Sequence, residues 1–430
     1  MDTQLPTRRL IIVNRADPVI CGHSVEGRNL AEVALTRGFD DVRIVTWPLE
    51  RLQSSGLPLK PLESVLPYSP GITVERPEPV GDYKVPDGRY TAGITGRLVE
   101  LLTDGVPTTV LSLYLSPHTL AVADAVTTAR STGLPVDVTT IAEAVGSDIT
   151  NVVRSSLERD AFGAAAQIFS AYLSQDRAVA VSEYTRDMII AAAEELDARH
   201  GTRYANACRE RIEISYPAID TSAYLDLDPA ETARVLEERG LARNRYVLFL
   251  SRLQAAKGVD DLIAGFERAA LPADVELVIA GRGPDAERLH GIAAASPLAD
   301  RIRFLDDVGD AEKPHLMEAC AVYVLPSKPS RDFVETFGIA LAEKMLAGGG
   351  PVVTTLAGGI GEAVGDHATI VPVEDPDAIA KAMEDALALD ATELARRARG
   401  AREYALQFDR ANVFDRLFRT DPVAAAAPVG

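Results

Sequence analysis

Tyr246-Val247-Leu248-Phe249-Leu250-Ser251-Arg252-Leu253-Gln254-Ala255-Ala256-Lys257-Gly258 is an apolar run of strand length that opens directly into a loop carrying two cations. A short continuous apolar run bounded by polar residues suits a parallel strand covered on both faces. It also starts a series. Further strands are expected at Glu276 to Ala280, Ile302 to Leu305, Val322 to Leu325, Pro351 to Thr354 and Thr369 to Val371. Helical patterns lie between or after them, at Val259 to Ala270, Ala286 to Ala295, Lys313 to Ala319 and Asp377 to Leu389. Such alternation builds an open, doubly wound sheet.

Upstream lies a separate series of the same kind. Arg9-Leu10-Ile11-Ile12-Val13-Asn14-Arg15 reads as a buried strand, followed by a loop, a helical pattern from Val25 to Arg37 closed by Gly38, and a strand at Val42 to Trp47. This start is Rossmann-like, although no G-x-G-x-x-G follows the first strand. Residues 50–90 are rich in Pro and Gly and read as one long irregular segment. Helices are expected at Tyr90 to Leu102, Pro117 to Ser131 and Asn151 to Leu173, and strands at Thr109 to Tyr114, Val136 to Ile141, Ala178 to Val181 and Arg211 to Ile214. Ser182-Glu183-Tyr184-Thr185 reads as a helix cap. The expected division is a first Rossmann-like domain over 1–216, a linker beginning at Tyr216, and a second domain over 217–402. Two such domains face each other across a cleft at the carboxyl ends of both sheets.

A chain of 430 residues, 47% hydrophobic and 25% charged, is a well-mixed globular protein of two domains. Its net charge of −19 argues against a nucleic-acid partner, which needs a basic footprint, and weakens docking to anionic lipid. Cys21, Cys208 and Cys320 are odd in number and far apart, a pattern of free thiols rather than of disulfides or zinc. The apolar run after Arg9 is too short for a signal peptide or a membrane span, so a cytoplasmic protein without an integral membrane segment is expected.

Two stretches carry chemistry. Arg252 and Lys257 stand five residues apart in one loop at a strand's carboxyl end. A planar fork beside a point charge suits a diphosphate. Glu335-Thr336-Phe337-Gly338-Ile339-Ala340-Leu341-Ala342-Glu343 reads as a loop turning into a helix. Gly338 permits close main-chain approach, and the helix start offers unpaired N–H groups and a positive dipole end. Glu335 and Glu343 could hold groups on opposite sides of a bound diphosphate. The alternatives are acids that merely stabilise the dipole, and a solvated Glu343-Lys344 pair. Gly358-Gly359 and the run Gly348 to Gly350 read as tight turns.

Over residues 245–390 the pattern resembles the donor domain of glycosyltransferase family 4, a GT-B-fold family of retaining nucleotide-sugar transferases. The matching pieces are Ser251-Arg252-Leu253 with Lys257-Gly258, Ala280-Gly281-Arg282-Gly283-Pro284, Arg303-Phe304-Leu305 with Lys313, Leu325-Pro326-Ser327, Glu335-Thr336-Phe337-Gly338 with Glu343, and Gly350-Pro351-Val352-Val353 with Gly358-Gly359 and Glu362. The first half is similar more loosely, through Gly146-Ser147-Asp148 and Val181 to Thr185. The resemblance implies an α/β GT-B architecture. It also implies that Arg252 and Lys257 hold the diphosphate and that Glu335 contacts hydroxyls of the donor sugar. Phe337, Gly338 and Ile339 would present backbone, Glu343 would take the ribose hydroxyls, and Lys313 would line the base pocket. Gly22 fits the family's loop glycine after the first strand, and Glu403 to Phe418 suits its helix crossing back onto the first domain. No cofactor and no metal are implied; the nucleotide sugar is a co-substrate. Asp226-Leu227-Asp228 has the letters of a metal-binding Asp-x-Asp, but it lies in the linker and reads as surface.

One position departs from the family. Val145 stands where a histidine commonly precedes the glycine of the first-domain loop and touches the donor sugar. His118 and Glu143 are the nearest substitutes by sequence, and His23 adjoins Gly22. Ser147 and Asp148, with the 50–90 segment, mark the expected acceptor side. The expected function is transfer of a sugar, from a UDP- rather than a GDP-linked donor, to a hydroxyl of a small soluble acceptor, in bacterial natural-product or glycoconjugate biosynthesis. The alternative is a nucleotide-sugar-binding protein that has lost transfer. No oligomeric state can be read.

Overall fold

The computed structural model describes residues 8–330 and 333–419. Two separate parallel sheets organise it. The first contains β1 (Arg9–Val13), β2 (Asp41–Val45), β3 (Ile72–Glu75), β4 (Thr108–Leu113), β5 (Val138–Ala144), β6 (Arg177–Ala180) and β7 (Ile212–Ile214), in the order β3-β2-β1-β4-β5-β6-β7. The second contains β8 (Tyr246–Leu250), β9 (Glu276–Ala280), β10 (Ile302–Leu305), β11 (Val322–Leu325), β12 (Val352–Thr354) and β13 (Ala368–Ile370), in the order β10-β9-β8-β11-β12-β13.

The apolar runs become central strands because both of their faces are covered. On β1, Leu10 and Ile12 pack with Leu30 and Ala31 of the helix Gly22–Ala34, while Ile11 and Val13 pack on the other face with Ile94, Leu98 and Val122. Burial of each such side chain contributes about 1.5–3 kcal/mol. The second sheet has its own core, from Val247 and Phe249 through Leu277 and Val324 to Leu346.

Each strand order reverses once, between β1 and β4 and between β8 and β11. Loops leaving the two strands at a reversal diverge to opposite faces, which opens a crevice at their carboxyl ends. Arg15 and Tyr114 stand at the first crevice. Arg252, Lys257 and the loop leading to Gly338 stand at the second.

Three elements differ from the sequence reading. Residues 50–90 contain the helix Leu49–Ser54 and the strand β3, which joins the sheet edge with Ile72 opposite Val42. Four residues among prolines are too few for a periodic signal. The single helix expected over 151–173 is interrupted: Arg154–Glu158 and Phe162–Leu173 are separate, with Asp160 at φ 53° between them. The crossing back onto the first domain comes later than Glu403. The helix Ala391–Ala405 still packs on the second domain, and Phe408 is buried there beside Phe337, Tyr216 and Tyr404. The helix Arg410–Leu417 then buries Val413, Phe414 and Leu417 against the first. Where the chain crosses, the Ile219 N–H donates to the Phe408 carbonyl and the Arg410 N–H to the Ile219 carbonyl, both at 2.9 Å. No helix among the described residues is long and apolar enough to cross a membrane.

Candidate active site

The loop after β11 is fixed from both sides. Phe337 is 2% exposed, with its ring 4.9 Å from Phe408 and 5.5 Å from Tyr216, so the side chain is an anchor and the main chain is what faces outward. Gly338 follows at φ 102°, a left-handed conformation that costs glycine little, and the helix Ile339–Ala347 begins. Beneath the loop, the Gly359 N–H donates to the Glu335 carbonyl at 2.8 Å. A Cβ on Gly358 would fall 2.0 Å from the Glu335 carbonyl oxygen, and one on Gly359 2.1 Å from that of Thr336. The glycine pair read as a simple turn is therefore the floor of the loop over residues 335–338.

Charged groups converge on this loop in pairs. Lys257, 6% exposed, is ion-paired through Nζ with the Glu335 carboxylate. Lys313 Nζ lies 2.7 Å from Glu343 Oε1 and 5.5 Å from the Tyr224 ring. Glu343 is 7% and Lys344 1% exposed, which rules out a solvated pair; the Lys344 ammonium donates instead to the Gly348 carbonyl at the helix end. Arg252 has a neutral partner in Gln254: with the amide turned so that its oxygen faces the guanidinium, that oxygen accepts from Nε at 2.9 Å. Burial pushes the Arg252 pKa below the ordinary arginine value. A half-buried guanidinium with no ion-paired acid among the described residues is poised for an anion.

The two domains touch around the cleft. A Cβ on Gly146, whose φ is 97°, would lie 2.2 Å from Thr336 Cγ2, and one on Gly22 would lie 2.9 Å from Ile339 Cδ1. Lys60 Nζ reaches Asp310 Oδ2 at 2.7 Å. Glu362 accepts the backbone N–H groups of Glu183 and Tyr184, at 2.7 and 2.9 Å. Gly22, Ile339, Arg252, Lys257, Glu335, Phe337 and Gly338 are thus brought together.

Most of the expected acceptor-side residues are not in the cleft. His118 is 1% exposed; its Nδ1–H donates to the Leu113 carbonyl at 2.9 Å, and its Nε2 accepts from Trp47 Nε1 at 3.2 Å. Burial lowers its pKa to about 3. Both ring nitrogens are used internally, which corrects its placement as a contact residue. Glu143 is wholly buried under the sheet end, beside Glu26. Asp148 is wholly buried too, and its carboxylate accepts the N–H groups of Leu115, Gly146 and Ile149 at 2.9–3.0 Å, so it shapes the loop that carries Gly146. Ser147 is half-buried between them. His23 is half-buried at the start of the helix Gly22–Ala34, with Nδ1 enclosed and unpartnered; burial, then the charges of Arg15 and Arg252, lower its pKa to about 3. Val145 packs in a small apolar cluster with Tyr114 and Val181.

The sequence reading passed over Arg15, Tyr114, Gln254 and Tyr224. Arg15 follows β1 as Arg252 follows β8, and that parallel was the available signal. Asp226-Leu227-Asp228 has an ordinary role: Asp228 caps the helix Pro229–Arg239 by accepting the Ala230 N–H at 2.9 Å. Among the described residues no group of three or more His, Cys, Asp or Glu is placed to hold a metal ion.

Residues 237–404 match the family described as glycosyl transferases group 1. The chain is 33% identical over 195 residues to a GDP-mannose-dependent alpha-(1-6)-phosphatidylinositol monomannoside mannosyltransferase of Mycolicibacterium smegmatis, covering 44% of this chain and 50% of that one. It is 32% identical over 214 residues to a D-inositol 3-phosphate glycosyltransferase of Salinispora tropica, covering 46% and 43%. The chain thus spans about half the length of these curated relatives. HepE of Anabaena, solved with UDP and glucose, superposes with a TM-score of 0.68 at 19% identity, over 95% of this chain and 98% of that one. The fold is GT-B, two facing doubly wound units. The match to the glycosyl transferases group 1 model lies within its second unit and the stretch leading into it.

Proposed function

We propose that the protein is a retaining glycosyltransferase of family 4, moving a sugar from a nucleoside diphosphate to a hydroxyl of a small acceptor. The observation that carries this reading is the meeting of Arg252, Lys257, Glu335 and the Gly338 helix start at the reversal of the second sheet. The two cations and the helix end hold the diphosphate and neutralise charge that develops on the leaving nucleotide, without a metal. Glu335 exchanges its bond to Lys257 for donor-sugar hydroxyls, and Glu343 with Lys313 takes the ribose end. Retention follows if the acceptor attacks from the face that the nucleotide leaves, with the donor phosphate accepting the acceptor's proton.

UDP remains the first choice of nucleotide, with GDP the direct competitor, since one relative is GDP-mannose-dependent by name and one structural neighbour was solved with UDP. The acceptor is read as a small soluble molecule, which the net charge of −19 supports, and the location as cytoplasmic. A thermal-shift screen of nucleotide sugars identifies the donor, because a ligand of the folded state raises its stability with concentration. Glu335→Ala and Lys257→Ala should each abolish transfer while the chain still folds. Near-normal turnover in either sinks the assignment.

A second reading rests on Val145. An apolar residue there offers the donor sugar no polar contact, as in a protein that binds nucleotide sugars without transferring them. Slow donor hydrolysis by the wild type removes this reading. Donor binding with neither hydrolysis nor transfer across many acceptors supports it.

A further inference from the structure

We propose that Arg15, stacked on Tyr114 at the reversal of the first sheet, forms a subsite for a phosphate-class anion on the first domain. Arg15 lies outside the residues that match the family. It leaves the carboxyl end of β1, at the reversal of the first sheet, and its carbonyl is fixed by the Thr46 hydroxyl at 2.9 Å. Its guanidinium lies 4.3 Å from the ring centroid of Tyr114, the residue directly after β4 on the other side of that reversal. Stacked on a ring, a guanidinium keeps its N–H edge free for an in-plane acceptor. Among the described residues it has no acidic partner.

The surroundings supply positive charge and little to balance it. His23 and His118 each lie 6.3 Å from the Tyr114 ring and are held neutral, so neither adds to that positive charge. The charge of Arg15 acts on Arg252, and the carboxylate that acts on Arg252 is Glu335, already bonded to Lys257. Among the described residues, Arg252 and Lys257 therefore share the Glu335 carboxylate and Arg15 has no acid of its own, in a chain with a net charge of −19. Like charges held together in a partly desolvated cleft are costly unless an anion sits between them. The anion is a phosphate of the donor or an acidic group carried by the acceptor. The subsite deepens the glycosyltransferase reading and rests on it for its place in catalysis.

The test is calorimetric titration of the full chain with inorganic pyrophosphate, inorganic phosphate and UDP, on the wild type, Arg15→Gln and Arg15→Lys. Expected is a loss of about tenfold or more in pyrophosphate or phosphate affinity in Arg15→Gln, with part of it restored in Arg15→Lys. The melting temperature of ligand-free Arg15→Gln should equal or exceed that of the wild type, since a repulsion is removed; a merely structural arginine would lower it. If UDP affinity falls in parallel, the anion is the donor's diphosphate. If UDP affinity holds while phosphate binding to the UDP-saturated protein is lost, the anion belongs to the acceptor. Unchanged affinities in Arg15→Gln, or a wild type that binds neither inorganic anion, overturn the proposal. A wild type that binds pyrophosphate through Arg15 but no nucleoside diphosphate keeps the subsite and overturns the glycosyltransferase reading instead.

Discussion

Glu362, on the second domain, accepts the backbone N–H of Glu183, the first residue of a first-domain helix, at 2.7 Å. The Tyr184 N–H joins it at 2.9 Å. The carboxylate thus caps the helix Glu183–His200 from outside its own domain, where unpaired N–H groups and the positive dipole end favour an acid. Glu362 lies shortly after the Gly358-Gly359 floor of the loop over residues 335–338, so loop and domain contact share one short segment. Glu362→Gln should keep the fold but weaken the contact by about 1–2 kcal/mol. Small-angle scattering should show a more open molecule, and the donor KM should rise more than kcat falls. An unchanged scattering profile with unchanged KM would mean that the contact does not hold the cleft.

Gly146 and Thr336 pack against each other across the cleft. Gly146→Ala combines a Cβ 2.2 Å from Thr336 Cγ2 with a φ of 97°. The backbone strain alone costs about 1–3 kcal/mol. Thr336→Ser in the same chain removes the Cγ2 clash but not the strain. The double variant should therefore recover part of the lost turnover while staying less stable than wild type by thermal melting. Full recovery of stability would show that the clash was the whole effect.

Stability should fall as pH rises toward and past neutrality. Burial, then repulsion from Glu26, holds the Glu143 carboxyl well above its usual range, and burial raises Glu26 from 4.5 to about 7. The folded protein keeps protons that the unfolded chain has released. The contribution is complete below pH 4.5 and is lost as pH passes through about 7. Urea midpoints measured from pH 5.5 to 8.5 should decline in the wild type, and much less in Glu143→Gln. Parallel declines in the two proteins would place the source elsewhere.

His118 should not contribute an inflection to the pH–rate profile. Its pKa lies near 3 and both of its nitrogens are bonded within the domain. His118→Gln should cost about 1–3 kcal/mol of stability through the buried groups it leaves unpaired. Its pH–rate profile should superimpose on that of the wild type after scaling. A profile that loses a limb would return His118 to the chemistry.

Strands were legible where hydrophobic runs were long and covered on both faces: the expected β8, β9, β10 and β11 coincide with the observed bounds. β3 escaped because four residues at a sheet edge carry too short a pattern. The second-domain residues of the site were legible because each sits in a local motif at a strand end. The first-domain wall was not, because depth is a tertiary property. Asp148 and Glu143 look like exposed polar residues in a loop and a strand end, yet both lie wholly inside. Arg15 has no motif around it; beyond its parallel with Arg252, it was Tyr114 beneath it that marked it out.

The chain passes between the domains twice, and the two passages lie side by side, joined by the bonds of Ile219 to Phe408 and Arg410 and by the Thr221 hydroxyl to Asp409 Oδ2 at 2.6 Å. A single tether would let one lobe both swing and twist against the other. Two tethers bonded together act as a door hung on paired hinges: the lobes can swing, and twisting is resisted. Every opening would then return Gly146 to Thr336 and Glu362 to Glu183 along the same arc. The last helix earns its place far from the cleft, by keeping that arc true.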